Sequence, residues 1–236
     1  MTDVSDRSIT DPSEIPHVRQ HAPATYRNRD PILAVLQDVL PPDGTILEIS
    51  SGTGEHAVFL APRLAPRAWL PSDPNPVARA SIAAWRDHLP SPNLYPPIAL
   101  DTEDTCWPVE QSPLPTTLAG LDLQQMPIRA IVNINMIHIA PWSACLGLFA
   151  GAARILPVGG ILYLYGPFMQ NGRHTAPSNA EFDATLRARN PAWGVRDLDA
   201  VTAVAATHHF SLHKTVPMPA NNLSVVFEKT AIGLAE

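Results

Sequence analysis

The chain has 236 residues, 45% of them hydrophobic, and a formal net charge of −6. That length suits one domain of moderate size, and the apolar share excludes global disorder. The acidic balance argues against a basic nucleic-acid surface, and no apolar run approaches the length of a membrane span. Two cysteines, Cys106 and Cys145, make no disulfide framework and no C-x-x-C metal pair. The polar opening MTDVSDRSITDPSE lacks the apolar core of a secretory signal, so the expected location is the cytoplasm.

Residues 1–20 carry no periodicity and are read as a flexible arm, with residues 21–236 forming a single α/β domain. Asp30-Pro31 reads as a helix start, followed by the stripe Ile32, Leu33, Val35, Leu36, Val39 and Leu40. A strand is predicted at Thr45–Ser50, a helix over 55–65, and a second strand at Ala68–Ser72. Asn75-Pro76 opens a helix to about His88, and Leu94–Leu100 is the third predicted strand. Residues 104–127 are a proline-marked, loop-rich excursion. Ile128–Ile134 is a fourth strand, 142–156 a helix, and Gly160–Tyr165 a fifth strand. Ser178-Asn179-Ala180-Glu181 has capping-box spacing for a helix to about Arg189, and a further helix is predicted over 197–206. The runs 208–216 and 222–228 are joined by a compact link, which predicts an antiparallel pair. The alternation implies a mostly parallel, Rossmann-like α/β sheet ending in a C-terminal antiparallel hairpin.

In such a sheet the ligand sits at the carboxyl ends of the strands. The turn after the first strand reads Glu48-Ile49-Ser50-Ser51-Gly52-Thr53-Gly54, and its glycines let the backbone pass close to a ligand. Gly52-x-Gly54-x-x-Ala57 also fits the loose dinucleotide pattern, which on its own is a weak signal. Glu48 stands within a strand where only apolar residues are expected, and a buried, unpaired carboxylate is costly. Asp73 ends the second predicted strand, where a carboxylate can grip ribose hydroxyls, and Asp101 ends the third, where one can accept from an adenine amine. Each of these acids alone reads more readily as a solvated loop carboxylate or a cap. Their recurrence at consecutive strand ends argues for one shared site.

There is no Tyr-x-x-x-Lys, no P-loop motif, and no lysine other than Lys214 and Lys229. Acidic groups around a glycine turn suit a ligand without a pyrophosphate and with a cationic sulfonium and amine, as in S-adenosylmethionine. With the glycine loop, Asp73, Asp101 and the terminal hairpin, the chain resembles a class I S-adenosylmethionine-dependent methyltransferase. More narrowly, several strings are similar to the methyltransferase-like 26 type family. They include Ala24-Thr25-Tyr26-Arg27-Asn28-Arg29-Asp30-Pro31, Leu47-Glu48-Ile49-Ser50-Ser51-Gly52-Thr53-Gly54-Glu55-His56, Pro71-Ser72-Asp73 and Ile134-Asn135-Met136-Ile137-His138. Gly166-Pro167-Phe168, Ser178-Asn179-x-x-Phe182-Asp183 and Met218-Pro219-Ala220-Asn221-Asn222 continue the likeness, which spans about residues 22–229. The resemblance implies a fold and a cofactor rather than a substrate. Ser50 departs from the class pattern, which has glycine two residues after the acid.

The resemblance places the end of the fourth predicted strand beside the transferred methyl. It implies cofactor contacts at Glu48, Ser50, Gly52, Gly54, Asp73, Asp101 and Asn133, and puts Asn135 and His138 nearest the chemistry. His138 would deprotonate or orient a small-molecule acceptor, although a histidine there also reads as a helix cap. Tyr26, Arg27, Asn28 and Arg29 are candidate substrate contacts, because guanidinium favours oxyanions. Asn171 and His174, in a glycine-containing loop suited to a lid, and Asn221 complete the candidates. His208, His209 and His213 lack an acidic partner for a metal, and no metal site is expected. Two other readings stay open: a non-catalytic S-adenosylmethionine-binding module and a dinucleotide oxidoreductase.

Overall fold

The computed structural model describes residues 18–118 and 120–231; most of the predicted arm, residues 1–17, lies outside them. Helix α1 (Pro23–Val39) buries Thr25, Asn28, Ile32 and Leu36 along one face at three- and four-residue spacing. It starts eight residues before the predicted Asp30-Pro31 boundary, and Pro31 lies inside it. Burial of that face outweighs the backbone hydrogen bond that Pro31 cannot make. Strand β1 (Thr45–Ile49), helix α2 (Glu55–Arg63), strand β2 (Ala68–Pro71) and helix α3 (Pro76–His88) follow as predicted to within two residues. Asn75 caps α3 through its side chain, accepting from the Val77 amide at 2.9 Å.

The predicted third strand does not form. Leu94 and Ile98 make only isolated bridges, to Trp69 and Ser72. Pro96 and Pro97 stand between them with no N–H to give to a ladder. The described residues within 104–127 hold two short 3₁₀ turns, Pro108–Glu110 and Thr116–Leu118. Then come β3 (Ile128–Ile134), α4 (Trp142–Ile155) and β4 (Ile161–Gly166). The expected loop after β4 is a small sheet instead. It contains β5 (Phe168–Gln170), β6 (Arg173–His174) and, beyond helix α5 (Pro177–Arg189), β7 (Arg196–Asp197). Helix α5 also starts differently: Pro177 leads it, Ala176 is an N-cap with no side-chain bond, and no capping box forms. The side chain of Asn179 bonds Thr175 and Asn221 instead. Helix α6 (Leu198–Thr207) and the antiparallel strands β8 (Phe210–Met218) and β9 (Asn222–Lys229) close the described chain.

The six-stranded sheet has the order β2-β1-β3-β4-β9-β8, with β2, β1, β3 and β4 parallel and β9 antiparallel to β4. One face packs Ile46, Trp69, Val132 and Tyr163 against Ile32 and Leu36 of α1 and Leu60 of α2. The other packs Leu47, Leu70, Ile131, Leu162 and Phe227 against Leu148 and Phe149 of α4 and Val201 of α6. Because both faces are covered, the parallel strands read as near-continuous apolar runs. From β1 the chain turns outward to β2, then returns to the opposite side of β1 as β3. That reversal opens a crevice at the carboxyl ends of β1 and β3.

Two glycines one helical turn apart let α4 close under the segment that leaves the sheet edge. A Cβ on Gly147 would lie 2.2 Å from the Thr102 carbonyl oxygen, and one on Gly151 would lie 2.0 Å from the ring of buried Trp107. Glu110 holds that segment in turn, accepting from the Trp107 amide at 2.6 Å and pairing with Arg154 at 2.7 Å. Gly147→Ala must therefore displace backbone. Urea unfolding should show a loss of about 2–3 kcal/mol, the usual cost of overpacking, and Gly151→Ala a similar loss.

Candidate active site

The turn after β1 combines three left-handed residues with different tasks. Ser50 (φ 56°) carries a Cβ in that conformation, at a cost of about 1–2 kcal/mol. Gly54 (φ 90°) lets the start of α2 press on α3, since a Cβ there would sit 2.7 Å from Ile82 Cα. Gly52 (φ 58°) has open space where its Cβ would be. Just past β2, Asp73 is 7% exposed; its Oδ2 accepts from the Gly52 amide at 3.0 Å and its Oδ1 from the Asn75 amide at 2.9 Å. Burial raises its carboxyl above the ordinary carboxylate range, opposed by those two amides. Each oxygen keeps a further lone pair for a ligand hydroxyl.

Glu48 is enclosed on the sheet face it shares with Ile46. Its Oε2 accepts from Trp69 Nε1 at 2.9 Å, and burial pushes its pKa up to about 7. Asn133, opposite Ile49 on β3, donates from Nδ2 to the Ile49 carbonyl at 3.1 Å and so ties the two strand ends together. Asp101 is exposed and accepts from the Glu103 amide at 3.0 Å.

The run Tyr26-Arg27-Asn28-Arg29 lies within α1, where successive residues are turned by 100°, so its members diverge. Asn28 is buried and bonds His56 at 2.9 Å; burial pulls the His56 pKa down to about 4. Tyr26 and Arg29 line a separate groove of about 480 Å³ between α1, α2 and α3, where the Arg29 guanidinium stacks on Phe59 at 4.4 Å. Only Arg27 reaches the second cavity, about 450 Å³, at the ends of β3 and β4. Asn135, His138, Asn179, Phe182 and Asn221 also line it. The structure thus gathers Arg27, Asn135, His138 and Asn221, and leaves Tyr26, Asn28 and Arg29 elsewhere. Asn171 is exposed, its amide on Asp199 at 3.2 Å, and His174 faces Asp183 at 3.6 Å; neither lines this cavity.

A family model for a protein of unknown function, DUF938, matches residues 19–229. The chain belongs to the DUF938 family. The fold of this DUF938 chain is the class I methyltransferase fold, shared with several solved structures. An O-methyltransferase family 2 protein from Planctomyces limnophilus DSM 3776, in complex with apigenin, is 17% identical with a TM-score of 0.68, covering 88% of this chain and 58% of that chain. The S-adenosylmethionine-dependent methyltransferase SibL is 16% identical with a TM-score of 0.66, covering 88% and 56%. The mitomycin 7-O-methyltransferase MmcR is 10% identical with a TM-score of 0.67, covering 88% and 54%. The DUF938 chain spans little more than half the length of these solved chains. No helix among its described residues is long and apolar enough to cross a membrane.

The head of the cavity is the His138 ring, 4% exposed, with no partner at Nδ1 and Phe182 edge-on at 5.7 Å. Burial, and to a lesser degree the Arg196 charge, pulls its pKa down to about 4, so the imidazole is neutral at pH 7. A Cβ on Gly166 would come within 3.1 Å of Nδ1, so the glycine lets the ring pack close to the backbone there. Asn135 is held left-handed (φ 61°), its amide on the Tyr165 carbonyl at 2.8 Å. The turn that carries His138 is clamped from below. Arg196 donates to the Ile137 carbonyl at 3.0 Å and the Ala140 carbonyl at 2.6 Å, and the Gly194 amide to the His138 carbonyl at 3.0 Å. Across the cavity, Asn179 Nδ2 donates to the Asn221 carbonyl at 2.9 Å and locks α5 to the β8–β9 link. Reasoning from sequence missed Asn179, Phe182, Gly166 and Arg196. Asn179 and Phe182 were accessible through their i, i+3 spacing on one helix face; Arg196 acts on a turn some 56–59 positions away and has no local signature.

These buried groups set opposite limbs of a stability profile. The Glu48 pKa is raised on folding, so its stabilising contribution is complete below about pH 4.5 and lost as pH rises through about 7. The histidine pKa values are lowered, so stability falls as acidification protonates the unfolded chain from about pH 6.5 downward. Glu48→Gln, which keeps an acceptor for Trp69, should raise Tm relative to wild type at pH 8 but not at pH 5. The gain approaches about 3 kcal/mol.

Proposed function

We propose that this chain is an S-adenosylmethionine-dependent methyltransferase of a small-molecule acceptor, and that its kinship is with the methyltransferase-like 26 type. The observation that carries the reading is a bare, left-handed Gly52 beside the buried carboxylate of Asp73, at the strand reversal and one strand away from the His138 cavity. The residues fit the nucleoside: Asp73 has lone pairs left for a ribose diol, and no side chain stands over Gly52. The names of the solved chains that share this fold, which speak of apigenin and mitomycin, support a small acceptor.

Asp73 would hold the ribose, Gly52 and Gly54 the turn that faces the nucleoside, and Asp101 the adenine amine. Ser50, Asn133 and the strand end supported by Glu48 would border the methionine moiety. When bound, S-adenosylmethionine supplies a methyl group on a cationic sulfonium. On the acceptor side, Asn135 would orient the nucleophile through its amide, and the His138 imidazole, which lines the same cavity, would take its proton. Because the ring is neutral at pH 7, it is ready as a base without a preceding deprotonation. Much of the acceleration would come from positioning two groups in one cavity.

Calorimetry with the purified chain should show micromolar binding of S-adenosylmethionine and S-adenosylhomocysteine. Asp73→Ala should weaken it at least about tenfold, the scale of lost hydrogen bonds to a charged group, while circular dichroism stays unchanged. No heat and no thermal shift at millimolar ligand would sink the proposal. Binding without methyl transfer to any acceptor would mark a sensor. For transferred acceptors, the rate should show no inflection from His138 between about pH 5.5 and 8, because that group titrates near 4.

A further inference from the structure

The cavity at the ends of β3 and β4 has a polarity along its length. At its mouth stands Arg27, exposed, with no ion pair or side-chain hydrogen bond among the described residues. It is the one side chain lining the cavity that carries a formal charge at pH 7, and no carboxylate lines it. Ser178 and Asn179, in the first turn of the 13-residue helix α5, line the same space; the Asn179 amide donates to the Ala176 carbonyl at 3.1 Å, and the Ser178 amide has no acceptor among the described residues. A guanidinium and the positive end of a helix therefore face one volume with no negative group to balance them. At the opposite, buried end stand the His138 ring, whose Nδ1 is buried against Gly166 without a hydrogen-bond partner, and the side chain of Asn135.

We infer that the acceptor is a small carboxylic acid bearing a hydroxyl group, its carboxylate on Arg27 and the amino end of α5, its hydroxyl on His138. The assignment rests on the methyltransferase reading for the fate of the hydroxyl, but not for the binding of the acid. The volume, about 450 Å³, lies in the range of small-molecule sites. Phe182, packed edge-on against His138, offers a ring face to a planar acceptor. In the transfer, the acceptor's O–H bond would break and its proton pass to the imidazole as the new C–O bond forms, while the methyl–sulfur bond of the sulfonium breaks and the thioether leaves as S-adenosylhomocysteine. The carboxylate is not the methylated group, because Arg27 and the Ser178 amide stabilise it in its charged, unreacted form. Arg27 is thus a specificity residue. Arg29, two positions on, serves a different groove.

The test uses the full chain and a panel of hydroxybenzoates and hydroxycinnamates, each paired with its methyl ester and its deoxy analogue, with binding read by calorimetry. Wild type should bind at least one acid of the panel about tenfold or more tightly than its ester, the scale of one charge-assisted pair. Arg27→Gln, at an exposed position, should abolish that preference while leaving S-adenosylhomocysteine affinity unchanged. The hydroxy acid should also bind more tightly than its deoxy analogue, and His138→Asn should remove that difference. Esters binding as tightly as acids, a preference that survives Arg27→Gln, or no acid of the panel bound at millimolar concentration would each overturn the inference. Arg27-dependent binding of acids without binding of S-adenosylhomocysteine would uphold the anion site and overturn the methyltransferase reading, so the two fail separately.

Discussion

The bond from the Gly52 amide to Asp73 Oδ2, 3.0 Å long, fixes the turn after β1 against the end of β2. Around it the backbone is closely woven: the Ser51 amide donates to the Ser72 carbonyl, and the Ser72 amide and hydroxyl both donate to the Glu48 carbonyl at 2.8 Å. Because the turn is held this way, Gly52 keeps its left-handed conformation and its open face. Everything proposed for the nucleoside depends on that face. A single carboxylate thus organises the loop and leaves lone pairs to spare, an economy available only to an ionised acid with two oxygens.

The second half of the site is built by different means. His138 sits on an irregular turn, and irregular backbone needs its polar groups satisfied from elsewhere. Arg196 and Gly194, from the segment that includes β7, supply three donors to the carbonyls of that turn. The small sheet β6-β5-β7 and the Asn179–Asn221 bond bring α5 and the β8–β9 link to the same cavity. Left-handed residues concentrate here as well: Ser50 follows β1, Asn135 follows β3, and Ala220 and Asn221 form the link. Strain of this kind persists where the surroundings over-determine the backbone, and it clusters at functional sites.

The parallel core was legible because doubly covered strands read as near-continuous apolar runs, so TILEI, AWLP and IRAIVNI stand out despite Glu48, Arg129 and Asn133. The errors have equally local causes. Asp30-Pro31 imitates a helix start, but the real helix begins at Pro23, because Thr25 and Asn28 belong to the buried face. Leu94–Leu100 has the apolar content of a strand, yet Pro96 and Pro97 deny it a ladder. Tyr26 to Arg29 look like one polar cluster in sequence, and the 100° step of the helix sends them to three separate environments. Glu48 was rightly singled out as anomalous within a strand, but its partner, the indole of Trp69, was invisible until β1 and β2 were paired.

The residues by themselves determined the alternation of strands and helices, the glycine turn after the first strand, and the acids Glu48 in β1 and Asp73 just past β2, since each follows from short-range periodicity and backbone freedom; Asp101 ends no strand. Tertiary structure alone decided which of those acids are buried, which arginine reaches the cavity, and that His138 is neutral with an unpartnered, buried Nδ1. These properties depend on desolvation and on partners tens of residues away. An acidic, proline-rich chain with 14 arginines and 2 lysines therefore announces its fold along its length. The charge that faces the cavity, Arg27, is chosen only by the phase of a helix against the sheet.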